Sequence, residues 1–268
     1  MRYVADHDFH IHSTVSCCCR DENQTPETIL NYARENGFSK ICLTNHFWDE
    51  NVKSEAEWID EHGYSFVSSV LPLPQDDKVD FLFGCETDMD FNNVLGVGKE
   101  RLGVFDFIVV STTHLHLDGN TVKNKIETPE EAASHWVDKF ENLLAKDLPF
   151  GKIGIAHLTT GHILKNRTAE VLQLISDETL RSLFGECSRK GAGIELNMKT
   201  IGMTQGEKEI FLRPYFIARE CGCKFYLGSD SHKTSALACA KENFEDIITQ
   251  LDLKESDKFL LNGEYRKQ

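Results

Sequence analysis

The 268-residue sequence has no apolar run approaching the roughly eighteen residues that a bilayer-spanning helix needs, and Met1 to Asp8 include no apolar leader. Neither a membrane span nor export is expected, which makes the cytoplasm the expected location. Basic residues are scarce: 29 Lys and Arg face 43 Asp and Glu, for a formal charge of −14. A field of that sign repels phosphate backbones and anionic headgroups, so long nucleic acid and membrane surfaces are disfavoured as partners. None of the nine cysteines forms a CxxC pair, and a chain this long does not need stapling, so reduced thiols are expected. Internal repeats, low-complexity tracts and Pro/Gly/Ser-rich linkers are also missing, so a single domain over residues 1–268 is expected.

What the sequence does have is a rhythm. Short apolar, β-branched runs recur at 3–9, 40–44, 81–85, 105–110, 152–156, 193–196 and 224–227, giving seven candidate strands. Helical patterns lie between them. One starts at Thr25 and Pro26 and stops at Gly37, and another starts at Thr128 and Pro129. A third runs from about Asp177 to Lys190 and ends at Gly191, and a fourth from about Pro214 to Glu220 ends at Gly222. Strand and helix alternating in this way imply an α/β fold with a parallel sheet and outer helices, either closed as a barrel or open and doubly wound. The segment 47–79, with Trp48, Trp58 and Phe66 among acids, has no clear period and is expected to form helix and loop over a site mouth.

Polar residues gather at the strand ends. The first strand ends in Asp8-Phe9-His10-Ile11-His12, whose histidines at i and i+2 share one face of an extended chain. Later runs end in Thr44-Asn45-His46, Gly84-Cys85-Glu86, His114-Leu115-His116, Ala156-His157, Glu195-Leu196-Asn197 and Asp230-Ser231-His232. In a parallel barrel all these ends meet at one face, where chemistry is found. A lone histidine at a strand end is more often a hydrogen-bonded structural residue than a ligand. A donor at almost every strand end instead points to a metal site. His7, His62, His135 and His162 fall outside the register and are expected to be surface or helix-packing residues. His114 is preferred to His116 because it comes first after its apolar run.

These motifs, from Asp8 to His232, resemble as a set the PHP (polymerase and histidinol phosphatase) family of metal-dependent phosphoesterases, and 213–232 is most similar to the histidinol-phosphatase branch. The resemblance implies a distorted (β/α)7 barrel of mostly parallel strands with outer helices, carrying two or three divalent ions (Zn, Mn or Fe). It implies one ion on His10, His12, Glu86 and Asp230, a second on Glu86, His114 and His157, and a third on His46 and His232. Family members with a third ion place a His or Asp six to eight residues after the HxH. Here that loop reads Ser16-Cys17-Cys18-Cys19, so either Cys17 or Cys18 substitutes as ligand, Cys18 being carried in the candidate set, or the third site is weak or empty. Asn45 is a milder departure, standing where many members have Asp.

Such a constellation supports hydrolysis of a small phosphate monoester, with L-histidinol phosphate, a histidine-biosynthesis substrate, the leading candidate. Glu86, Asp230 and His232 are the candidate catalytic groups. Asp8 is expected to accept from a ligand imidazole, and Glu195 and Asn197 to do the same or to touch substrate. Arg167, Lys199 and Arg213 are the candidate phosphate-binding cations, with Asn197 beside them, although each is individually more typical of a solvated surface charge. Two rivals stand: an amidohydrolase-like hydrolase of a C–N or C–O bond, and an inactive metal-binding barrel acting as a regulatory module.

Overall fold

A computed structural model of the chain describes residues 1–56 and 62–261. Among them, eight strands alternate with seven α-helices: β1 (His7–Ile11), α1 (Pro26–Asn36), β2 (Lys40–Leu43), α2 (Tyr64–Val67), β3 (Asp80–Phe83), β4 (Cys85–Asp88), β5 (Ile108–Ser111), α3 (Pro129–Leu144), β6 (Ile153–Ala156), α4 (Thr168–Leu174), α5 (Asp177–Lys190), β7 (Gly193–Leu196), α6 (Gln205–Glu220), β8 (Lys224–Leu227) and α7 (Thr234–Gln250). The helix starts are chemically marked. The Thr25 side chain accepts from the Thr28 amide, and Thr128 forms a reciprocal capping box with Glu131. Gly37 and Gly191 end their helices in left-handed conformations, φ 67° and 81°, that a side chain would resist.

Two expectations shift. Helix α6 begins well before Pro214, because Thr204 and Glu207 build a capping box at residue 204; the helix carries Pro214 inside it although the ring removes an amide donor and crowds the carbonyl four residues earlier. The third expected strand divides at Gly84, making eight strands of seven. On one side the Gly84 amide donates to Leu43 O at 2.8 Å; on the other the Cys85 amide donates to Phe107 O at 3.2 Å. A Cβ at residue 84 would lie 2.5 Å from Phe107 O and 2.6 Å from Cys42 Sγ, so only glycine fits this changeover.

All pairings are parallel, in the orders β1-β2-β3 and β4-β5-β6-β7-β8. The two sheets join at both seams. His46 bridges Glu86 at one; at the other Ile11 bridges Ser231, Asp230 N donates to His10 O at 2.7 Å and His12 N donates to Ser231 O at 3.0 Å. The result is a distorted barrel. Its interior is a separate buried cluster of Phe9, Cys42, Leu82, Phe107, Val109, Ala156, Tyr226 and Phe259, while the larger core lies between strands and helices. Phe259 closes the floor, its amide donating to Phe225 O at 2.7 Å. His7 is inside this foot rather than on the surface or a helix: its Nε2 accepts from the Leu227 amide at 3.1 Å and its Nδ1 faces Asp6 at 2.9 Å. Within 47–79, Phe47 and Trp48 are buried and α2 is a single turn; Trp58 lies outside the described residues. No helix among the described residues is long and apolar enough to cross a membrane.

The interior packing decides the sign of one substitution. Backbone entropy alone would make Gly154→Ala stabilising, but a Cβ there would sit 2.5 Å from Phe107 Cζ and 2.6 Å from the Tyr226 ring. Gly154→Ala is expected to destabilise by about 1–3 kcal/mol, the usual cost of overpacking, seen as a lower urea midpoint at unchanged slope. A raised midpoint would show that the barrel interior is not filled as described.

Candidate metal centre

The strand ends bring His10, His12, Glu86, His114, His157 and Asp230 together at the mouth of the barrel. Glu86 is 1% exposed, and its carboxylate is the hub. Oε2 lies 3.3 Å from His10 Nε2, 3.2 Å from His12 Nε2 and 3.1 Å from His46 Nδ1, whereas Oε1 lies 3.5 Å from His157 Nε2 and 3.9 Å from His114 Nε2. Asp230 is opposite, with Oδ1 3.2 Å from His12 Nε2 and Oδ2 3.3 Å from His157 Nε2. Ligand atoms of His10, His12, Glu86 and Asp230 all lie within 4.8 Å of one another, as do those of Glu86, His114 and His157. Glu86 therefore spans two groups of donors.

Hydrogen bonds on the far side of each ring decide what faces inward. His10 Nδ1 meets the Glu195 carboxylate at 2.5 Å and His114 Nδ1 meets Asp88 at 2.9 Å; a carboxylate only accepts, so both rings carry their proton outward. For His12 the proof is indirect. Ser16 Oγ donates to Asn45 Oδ1 at 3.0 Å, so it accepts from His12 Nδ1 at 2.9 Å. His10 Nε2 and His12 Nε2 consequently face each other only 3.1 Å apart, and in the neutral rings both are bare lone pairs. Two lone pairs at that distance repel unless a cation lies between them and the acids. Both Glu86 oxygens, His157 Nε2 and Asp230 Oδ1 are buried and lack hydrogen-bond partners, which fits a divalent cation. Without a cation, protonated rings have to take its place: burial would push the Glu86 carboxyl up, but the positive fields of His46 and His10 outweigh it and hold Glu86 well below the usual carboxylate range.

The chain belongs to the PHP domain family. The family model matches residues 8–199, covering most of this centre. The fold is similar to that of a histidinol phosphate phosphatase from Lactococcus lactis complexed with Zn, L-histidinol and phosphate, at 15% identity and TM-score 0.59 over 93% of this chain and 94% of that one. It is likewise similar to a putative histidinol phosphatase from Listeria monocytogenes, at 15% identity and TM-score 0.58 over 89% and 99%. No curated protein matches this sequence significantly. As a PHP domain the chain is a metal-dependent hydrolase.

Above the PHP centre opens a cavity of about 650 Å³, lined in part by Glu86, Asp88, Asp230, His46 and His232. His62, His116 and His162 also line it. The expectation that His62 and His162 are bystanders is therefore corrected: the loop after β6 turns the His162 ring to 5.3 Å from that of His114, and His62 Nε2 contacts Cys17 Sγ at 3.0 Å. Bonds from Cys18 and His62 hold the Cys17 thiol down to about 4. Asp8 is also corrected. It accepts from the amides of Ser229 and His10 and from the Tyr32 hydroxyl, not from an imidazole, and burial pushes it up to about 6 despite those bonds. Asp88, two residues after Glu86 on the same strand face, escaped the sequence reading although the i, i+2 spacing was there to read.

The expected phosphate cations are elsewhere. Arg167 is exposed and pairs with Glu170 at 2.7 Å. Arg213 is held by Asp177 and by the Leu172 and Ile175 carbonyls, tying α4 and α5 to α6. Lys199 and Asn197 border a separate small crevice beside Gly228 and Ser229. Glu195 does orient a ring, and its other oxygen accepts from the His157 amide at 3.1 Å. Glu195→Gln would set an amide N–H against the His157 amide or withdraw the acceptor from His10, so it is expected to weaken retention of the divalent ions by roughly 10–100-fold. Chelator competition followed by metal analysis measures this; unchanged retention would remove Glu195 from the centre.

Proposed function

We propose that the chain hydrolyses a small phosphate monoester, with L-histidinol phosphate the leading candidate, using two or more divalent ions held by the Glu86-centred cluster. The observation that carries the reading is the set of bare imidazole nitrogens and orphaned carboxylate oxygens at the base of an open cavity. The ligands mix imidazole and carboxylate, a set that suits Zn, Mn or Fe. Cations held there supply Lewis acidity toward the phosphoryl oxygens and an acidified water as nucleophile. If histidinol phosphate is the substrate, the enzyme serves histidine biosynthesis in the cytoplasm.

The chain's own residues set the geometry. Glu86 spans both donor groups and fixes their spacing, while Glu195, Asp88 and Ser16 lock the rings of His10, His114 and His12. At the rim, His232 donates from Nδ1 to Asp230 O at 2.9 Å, which leaves Nε2 as its lone-pair atom toward ligand or leaving group. The inactive-barrel reading loses ground because every donor of both inner groups is present.

Among the described residues no Lys or Arg lines the cavity, so a phosphoryl dianion would be neutralised there by the cations, while His116 and His162, held below the usual imidazole range by burial and by His114, offer it hydrogen bonds rather than charge. That absence is also what favours the second reading, hydrolysis of a C–N or C–O bond in a less charged substrate. A panel of histidinol phosphate, other phosphate monoesters, amides and lactones, assayed with the metal-replete protein, separates the two. Turnover of a phosphate monoester is expected, with none of the amides or lactones turned over; the reverse would overturn the proposal. In the same assay Arg167→Ala and Lys199→Ala are expected to leave kcat/KM unchanged, whereas His162→Ala raises KM by roughly tenfold, about 1.4 kcal/mol of binding. Sensitivity to the Arg167 and Lys199 changes would restore those residues as the clamp.

A further inference from the structure

Three consecutive cysteines follow the HxH strand, and the fold gives each a different neighbour. Cys17 Sγ is turned to His62 Nε2 at 3.0 Å. Cys19 Sγ is turned to the His232 carbonyl at 3.1 Å. Only Cys18 remains beside the rim histidines, where ligand atoms of His12, Cys18, His46 and His232 lie within 4.8 Å of one another. The bond that Cys18 gives Cys17, and then burial, push the Cys18 thiol up, and coordination would displace that proton.

The loop that presents Cys18 is pinned at its base. Asn45 Oδ1 accepts from the Ser13 amide at 2.8 Å and from Ser16 Oγ at 3.0 Å, while its Nδ2 donates to Ser13 Oγ at 3.0 Å. A carboxylate at residue 45 could not make the last of these bonds. Asn45 and the cysteine run, the two places where this sequence leaves the family pattern, are linked through Ser16, whose Oγ donates to Asn45 and whose carbonyl accepts from the Cys19 amide at 2.9 Å.

We infer that Cys18 joins His46 and His232 as a thiolate ligand of a rim metal site, distinct from the two groups at Glu86, and that this site takes a thiophilic divalent ion such as Zn²⁺, Co²⁺ or Fe²⁺ in preference to Mn²⁺ or Mg²⁺. His12 Nε2 is engaged with both Glu86 and Asp230, whereas His46 meets Glu86 through Nδ1 alone, so Cys18, His46 and His232 supply three donors and leave a fourth position open. Three protein donors with one open position is the pattern of reactive rather than structural zinc sites. Thiolate sets the metal preference, since soft sulfur favours zinc and iron while carboxylate and water suit manganese and magnesium. The inference rests on reading the cluster as a metal centre.

Cobalt tests it without relying on turnover. The metal-free full-length protein is titrated with Co²⁺ and followed by absorption. A thiolate-to-cobalt charge-transfer band in the near ultraviolet is expected in the wild type, in Cys17→Ser and in Cys19→Ser, and its complete loss is expected in Cys18→Ser together with one fewer bound ion per chain. Cys18 is exposed, so this substitution leaves the packed interior untouched. Persistence of the band in Cys18→Ser, or its loss in Cys17→Ser, overturns the assignment. Cobalt bound with ligand-field bands alone in the wild type overturns the thiolate ligand but leaves the inner centre standing; no cobalt bound at all overturns both. As a second measurement, Zn²⁺ is expected to displace Mn²⁺ from the rim in the wild type, and Cys18→Asp to retain Mn²⁺ there. Equal Mn²⁺ retention in the two proteins would refute the preference.

Discussion

A negative carboxylate buried at the mouth of a barrel governs this molecule. Glu86 is out of water, and its neighbours are ring nitrogens whose protons have been drawn to the other side by Glu195, Asp88 and Ser16. An isolated buried charge is expensive, and so are facing lone pairs. Without a cation the only remedy is to protonate some of the rings, which gives buried imidazolium groups packed against one another. With cations, each orphaned atom gains a partner at once. The outer hydrogen bonds therefore matter as much as the donors, because they prevent the rings from turning to satisfy one another.

The fold delivers this arrangement through its strands. A register shift between Asp8 and Ile11 breaks the alternation of β1, so that Phe9 enters the barrel with Phe107 and Tyr226, Ile11 joins the outer core, and His10 and His12 stand at the mouth. Plain alternation on β4 sets Glu86 and Asp88 side by side. Gly228 shows how tight the packing is around the acids, since a Cβ there would collide with Glu195 Oε1 and lie 2.8 Å from His10 Cβ.

Much of this could be read from the sequence because strand-end polarity survives as a one-dimensional pattern. Residues at i and i+2 after an apolar run reveal their shared face, and the helix starts at Thr25 and Thr128 announce themselves by side-chain chemistry. What escaped detection depends on turns. His62 and His162 reach the cavity through loops that have no period, and Asp8 differs from Glu195 only in which partners the third dimension supplies. Pro214 misled because a proline at a helix start and one inside a helix look alike until the Thr204 and Glu207 box is weighed. Nearness to strand ends along the chain says nothing of how a cation is spent in space: Arg213 uses its charge to fasten helices.

The aromatic stopper at the foot of the barrel has a consequence for traffic. With Phe259 wedged beneath Phe107 and Tyr226, the described residues shut the foot of the vessel. Whatever reacts at the histidine-rich end therefore has to arrive and depart at the mouth, so incoming and outgoing molecules share a route.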